Sequence, residues 1–174
     1  MIRQTGFTYL EIVIVVIILG IVAAAAMPNF SSSDPTKLDI ATAEITEAID
    51  FARTEAIRTK VTRGISIDTA LDEIKVYSKP ATTPVYDVYH PIDKKLYDIL
   101  LKSMNQTNGV DLVSATFTYS NGVSNSLLDF NSDGIPKYTS TTDYMLTSGA
   151  ITLSYKGQQL KVIIAPMTGR VTVQ

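Results

Sequence analysis

Cysteine and tryptophan are absent from the 174-residue sequence, and histidine occurs once, at His90. Without thiols there is no disulfide framework and no cysteine-based metal site. That absence neither requires nor excludes export, since a protein outside the cytoplasm can fold without disulfides. One histidine and no HExxH string leave little material for zinc or acid-base chemistry. His90 precedes Pro91 in a loop-like stretch, with no residue at ligand or dyad spacing, and reads as a surface or structural side chain. No nucleophile, base and orienting group can be assembled, and no oxyanion loop, so the pattern is not that of an enzyme and implies no cofactor. Charge is sparse and balanced: 15 Lys and Arg against 17 Asp and Glu give a net charge of -2 at pH 7. The basic residues are scattered, which removes a global electrostatic case for nucleic acid.

What the sequence does have is one long apolar run. Residues 7–27 contain Glu11 as their only charge. At 1.5 Å per residue they make a rod of about 30 Å, which predicts a membrane-spanning helix over 7–29. Arg3 would keep residues 1–6 in the cytoplasm and send the rest of the chain to the periplasm or exterior, a single-pass inner-membrane placement. A secretory signal cut after the alanines at 23–26 is the competing reading. Glu11 counts against it, because a carboxylate in hydrocarbon is costly without a partner and has no place in a disposable helix. Cleavage between Gly6 and Phe7 would instead leave the rod on the product and create an α-amine four residues from Glu11.

Beyond the run, Pro28 predicts a kink or an end to the rod. Asp34 and Pro35 suit an N-cap and a first helical position, so a second helix is expected over about 35–62, with Gly64 as its stop signal. Leu38, Ala41, Ile45, Ala48, Ile49, Ala52 and Ala56 fall on one narrow face, whose small residues would let a sheet approach closely. Ile40, Phe51, Ile57 and Val61 lie off that stripe, as the flank of a broad core face or as contacts to other subunits. From residue 63 onward the period changes to that of strands, with a hairpin about 68–72, further runs at 85–89, 96–101, 110–119 and 127–130, and a final pair turning at Lys156-Gly157 before a last run to Val173. Pro80, Pro84, Pro91 and Pro136 read as loop residues. The expected class is α+β, a helix packed on antiparallel sheet over about 63–174.

Gly6-Phe7-Thr8-Tyr9-Leu10-Glu11, the apolar run with Gly20, and Pro28-Asn29-Phe30 together resemble the N-terminal signature of type IV pilins and type II secretion pseudopilins. The resemblance implies residues 1–6 as a leader, 7–29 as the filament-core helix and 30–174 as a pilin-like domain. It implies that a prepilin peptidase cuts after Gly6 and N-methylates Phe7, and that Glu11 pairs with the terminal amine of a neighbouring subunit. The implied partners are that peptidase, other pilin or pseudopilin subunits, the inner-membrane assembly machinery, and the lipid bilayer before assembly. Later segments resemble the GspH and FimT family of minor pseudopilins and pilins: the helix around Phe51-Ala52-Arg53-Thr54-Glu55, the strand and turn from Leu128 through Gly134, and Thr168-Gly169-Arg170-Val171. Residues 80–108 match nothing in that pattern. Secretion pseudopilus and surface pilus demand the same N-terminal chemistry, so both stay open.

Three weaker patterns have alternatives. Asp129, Asn131 and Asp133 with Gly134 have the first half of a calcium-loop spacing, but Ser140 stands where the loop needs Glu, so a turn capping its own backbone is the other reading. Lys156, Lys161 and Arg170 lie in or near the last hairpin and would form a small basic patch for DNA; an ordinary solvated face is the competing reading, with no aromatic ladder beside it. Asn29-Phe30-Ser31 and Asn105-Gln106-Thr107 fit the glycosylation pattern. A membrane-presented binding module for DNA or adhesion, and a simple anchored exported domain, remain as alternatives to the filament subunit.

Overall fold

The computed structural model describes residues 9–25 and 34–174. The leader, Gly6, Phe7, Pro28 and Asn29 lie outside the described residues. Helix α1, Tyr9–Ala25, belongs to one unit and residues 34–174 to another.

Helix α1 has 17 residues. At 1.5 Å each it is about 25 Å long, short of the roughly 30 Å hydrocarbon core. Among the described residues no helix is long and apolar enough to cross a membrane. The membrane-spanning helix expected over 7–29, and the single-pass inner-membrane placement built on it, are therefore corrected.

Residues 34–174 form a helix laid on antiparallel sheet. Helix α2, Asp34–Thr59, ends at Lys60, whose φ of +57° places it in the left-handed region that closes many helices. Gly64, expected as the stop, lies instead within the first strand. All seven residues of the predicted stripe are buried, from Leu38 at 3 % exposure to Ala56 at 0 %. The four alanines bring the helix axis close to the sheet, while Ile45 and Ile49 fill the space between strands, each contributing about 2 kcal/mol by burial.

The strands are β1 Arg63–Asp68, β2 Glu73–Ser78, β3 Asp98–Leu100, β4 Asp111–Tyr119, β5 Ser124–Asn125, β6 Leu127–Phe130, β7 Pro136–Thr139, β8 Asp143–Tyr155, β9 Gln158–Ile164 and β10 Val171–Val173. Their order runs β10-β9-β8-β7-β6-β1-β2-β3, with β4 on β8 and β5 on β4. Strand β8 joins the two parts of this arrangement. Its first residues pair with β7, Met145 opposite Lys137, and its last seven pair with β9, from Gly149 opposite Ile164 to Tyr155 opposite Gln158. Strand β4 runs along it as well, with a bulge between Leu112 and Ser114. Alternation sends Ile65, Ile67, Ile74, Val76, Leu128 and Phe130 into the core.

The hairpin β1–β2 is closed by Asp68, whose Oδ1 accepts from Ala70 N at 2.9 Å and Leu71 N at 3.2 Å. Asp72 is buried, accepts from Leu112 N at 2.6 Å through Oδ1 and pairs with Lys102 through Oδ2, fastening the hairpin to β4. Pro136 opens β7 rather than lying in a loop, a first-strand position where a missing N–H costs nothing. Residues 85–89 form no full strand. Isolated bridges pair Ser78 with Val85 and Tyr89 with Leu96, and Val88, Tyr97, Ile99 and Leu101 turn inward to extend the core past β2.

Candidate functional site

Two regions carry the sequence motifs, α1 and the end of α2. Along α1 every described side chain is exposed, from Tyr9 at 85 % to Val22 at 55 %, and the apolar residues encircle the helix instead of forming a stripe. Seven consecutive β-branched residues, Ile12 to Ile18, have modest helix propensity in water, so this helix takes its stability from whatever covers it. Glu11 stands in the first turn, where the helix N-terminus favours a carboxylate. The arrangement is a sticky rod with one charge at its start.

The three later motif segments come together at the C-terminal end of α2. Arg53 Nε donates to the Gly134 carbonyl at 3.2 Å. A Cβ on Gly134, whose φ is +76°, would lie 2.6 Å from Ile57 Cδ1, and one on Gly169 would lie 2.8 Å from the Phe130 ring and 3.4 Å from Arg53 Cδ. The arginine stem thus passes between two turns that only glycine allows to close so near it. Nearby, Arg58 and Glu55 pair at 2.6 Å on the exposed side, and the guanidinium hydrogen bond holds the Glu55 carboxyl below its ordinary value. Phe51 meets Tyr97 at a tilt, with ring centroids 5.0 Å apart, so it packs against the core, whereas Ile57 stays 40 % exposed.

Asp129, Asn131 and Asp133 are not brought together around a common centre. Asn131 Oδ1 accepts from Asp133 N at 3.1 Å and Ile135 N at 2.8 Å, forming a local turn. Asp129 points the other way and is fully buried: Tyr77 donates its hydroxyl to Oδ1, while Lys79 Nζ at 2.7 Å and Thr139 N at 3.0 Å donate to Oδ2. Among the described residues no group of three or more His, Cys, Asp or Glu is placed to hold a metal. The Lys156, Lys161 and Arg170 trio is also dispersed. Lys156 sits in the β8–β9 turn over the Tyr155 ring, Lys161 in β9, and Arg170 beyond its far end, a spread of about 20 Å along a seven-residue strand. His90 packs edge-on against Tyr97 and lies 3.3 Å from Asp93. In the second glycosylation pattern, Thr107 is buried and donates to the Leu101 carbonyl at 2.8 Å.

Sequence reading missed the buried cluster of Lys79, Asp129 and Tyr77. The available signal was Asp129 itself, a charge flanked by Leu128 and Phe130 in an otherwise apolar strand, which implies a buried partner. Nothing in the sequence singles out Lys79 as that partner.

No family model matches the chain. Among solved structures, the minor pseudopilin EpsH from the Type 2 Secretion System of Vibrio cholerae superimposes with a TM-score of 0.53 at 18 % identity, covering 79 % of this chain and 96 % of that one. A second crystal structure of EpsH gives 0.53 at 16 %, over 79 % and 92 %. The Pseudomonas aeruginosa type IV minor pilin FimU gives 0.47 at 15 %, over 82 % and 91 %. At such identities the two EpsH matches show the fold alone, one that this chain shares with that minor pseudopilin.

Proposed function

We propose that this chain is a minor pseudopilin or minor pilin, a subunit that enters a helical filament through its N-terminal helix and so supports protein secretion or pilus biogenesis. The reading rests on one observation above the others: α1 is apolar all round and exposed, with Glu11 in its first turn. Such a helix is stable only when covered on every side, and a bundle of identical or related helices at a filament centre covers it so. The pilin-like fold of residues 34–174 and the Gly6-Phe7 junction support the same reading.

On this proposal the precursor is cut after Gly6 by a prepilin peptidase that then methylates the Phe7 amine. Methylation keeps that amine cationic, and Glu11 of one subunit pairs with Phe7 of the next. Within the dry interior of a bundle such a pair fixes the axial register, because a one-turn slip would strand both charges. Residues 34–174 then decorate the filament surface. The protein is thus a peptidase substrate and not an enzyme.

Two measurements test this. The N-terminal mass of the protein recovered from cells should begin at N-methylated Phe7 and revert to the uncut start when the peptidase is removed. Glu11→Val should leave residues 34–174 folded while incorporation into filaments falls at least tenfold. Normal incorporation of that variant, or a natural start at Met1, would overturn the reading.

A further inference from the structure

Lys79 and Asp129 lie 50 residues apart in sequence yet meet in the interior, with Lys79 Nζ 2.7 Å from Asp129 Oδ2 and side chains 2 % and 0 % exposed. They follow β2 and occupy β6, strands separated by β1, so the contact bridges over that strand. The ammonium sits 5.0 Å above the Tyr138 ring, and Tyr77 and Tyr119 close the surroundings, a compartment walled by aromatic rings. Each carboxylate oxygen has its own donor: Tyr77 O–H on Oδ1, Thr139 N–H on Oδ2.

We propose that this pair is a site of covalent self-modification, in which the Lys79 amine and the Asp129 carboxyl condense to an isopeptide bond and release one water. The atoms balance without a co-reactant. A proton first passes from the ammonium to Oδ2, replacing two buried charges with a neutral amine and a carboxylic acid. The Nζ lone pair then attacks Cγ, and the negative charge that develops on Oδ1 is met by the Tyr77 hydroxyl already pointing at it. Collapse breaks the Cγ–Oδ2 bond, and a second proton from Nζ leaves with Oδ2 as water; the third remains on the amide nitrogen. Burial, with the Asp129 charge second, pushes the Tyr77 phenol well above its ordinary value, so it stays a donor throughout. Holding amine and carboxyl together in a dry site supplies the effective concentration that free amino acids in water lack, and exclusion of water opposes hydrolysis of the product. The reaction belongs to residues 34–174 and is independent of how α1 is used.

The absence of cysteine bears on this assignment. A chain without cysteine forms no disulfide, and a Lys–Asp amide would close a loop from β2 to β6 that neither reducing nor oxidising conditions open.

The test is a digest of the full-length chain, purified folded from its natural host, denatured and read by tandem mass spectrometry. The expected result is one branched peptide containing both Lys79 and Asp129, lighter by one water than its two parts, with N-terminal processing playing no role in the measurement. Lys79→Arg and Asp129→Ala should each abolish it. Tyr77→Phe should lower the joined fraction at least tenfold at early times while the circular dichroism of the folded domain is kept. If either charge variant fails to fold, the wild-type digest still decides. Recovery of the two peptides separate and at full mass from folded wild-type protein, after prolonged incubation, would overturn the proposal and leave Lys79 and Asp129 as a buried ion pair.

Discussion

Gly64 lies where β1, β2 and β6 run side by side, opposite Tyr77 on one neighbour and Asp129 on the other. A Cβ there would stand 2.5 Å from the Leu128 carbonyl and 2.6 Å from the Tyr77 ring. The missing side chain is what lets the tyrosine lie across β1 and reach Asp129. Gly64→Ala therefore has to displace either backbone or ring, and an expected loss of about 2–3 kcal/mol follows from overpacking together with a loosened buried hydrogen bond. Urea denaturation of the two proteins would measure it as a lower midpoint at unchanged slope. A midpoint shift that, multiplied by the slope, amounts to less than about a fifth of that loss would show that Tyr77 has room to move.

At the scale of elements, α2 offers the clearest contrast. Ile49 is fully buried between helix and sheet, whereas Ile57, two turns on, keeps 40 % of its surface. Ile49→Ala should cost about 2–4 kcal/mol and Ile57→Ala under about 1 kcal/mol, checked by thermal or urea melts of the two variants. The same helix shows what was legible beforehand. Its stripe could be read because seven apolar side chains at helical spacing have one physical solution, burial against a sheet. Its end could not, because Lys60 takes a left-handed conformation normally left to glycine, and the glycine that looked like the stop was needed for strand clearance. The hairpin about Lys156-Gly157 was legible for the reverse reason: turn chemistry and alternation agreed there. Strand β7 was hidden by Pro136, and the first residues of β8 by their polarity, since pairing at that end is decided by neighbours distant in sequence. As for α1, composition marked an apolar helix, and among the described residues it runs over Tyr9–Ala25, short of the span expected over 7–29.

Across the whole molecule, three of the buried tyrosines lie in different parts of the core: Tyr77 in β2, Tyr97 just before β3, and Tyr119 at the end of β4. Burial raises all three phenols above the ordinary 10.0, helped by Asp129 at Tyr77 and Tyr119 and by Glu47 and Glu44 at Tyr97. Folding thus favours the protonated form. Its contribution is fully present below pH 10.0 and is lost as pH rises through that value toward the folded ones, because the unfolded chain releases protons that the folded chain keeps. Stability should fall progressively above about pH 10, and in an ultraviolet titration the three should ionise only together with unfolding. Smooth titration of every tyrosine near pH 10 in the folded protein would contradict the packing described here.

Strand β8 also sets an order in time. It holds β4, β7 and β9 together and supplies Leu146, Ile151 and Leu153 to the core, yet it follows α2 and seven strands in the chain. Helix α2 emerges long before it and has β1 to rest on, but the part of its stripe that meets β8 and β9 stays uncovered until they follow. Between those two moments the growing chain carries a partly uncovered apolar stripe, and its folding must wait for contacts of large sequence separation, which are slow to form. Through that interval the open part of the stripe can meet other apolar surfaces, and a pause in synthesis before residue 143 would prolong the exposure.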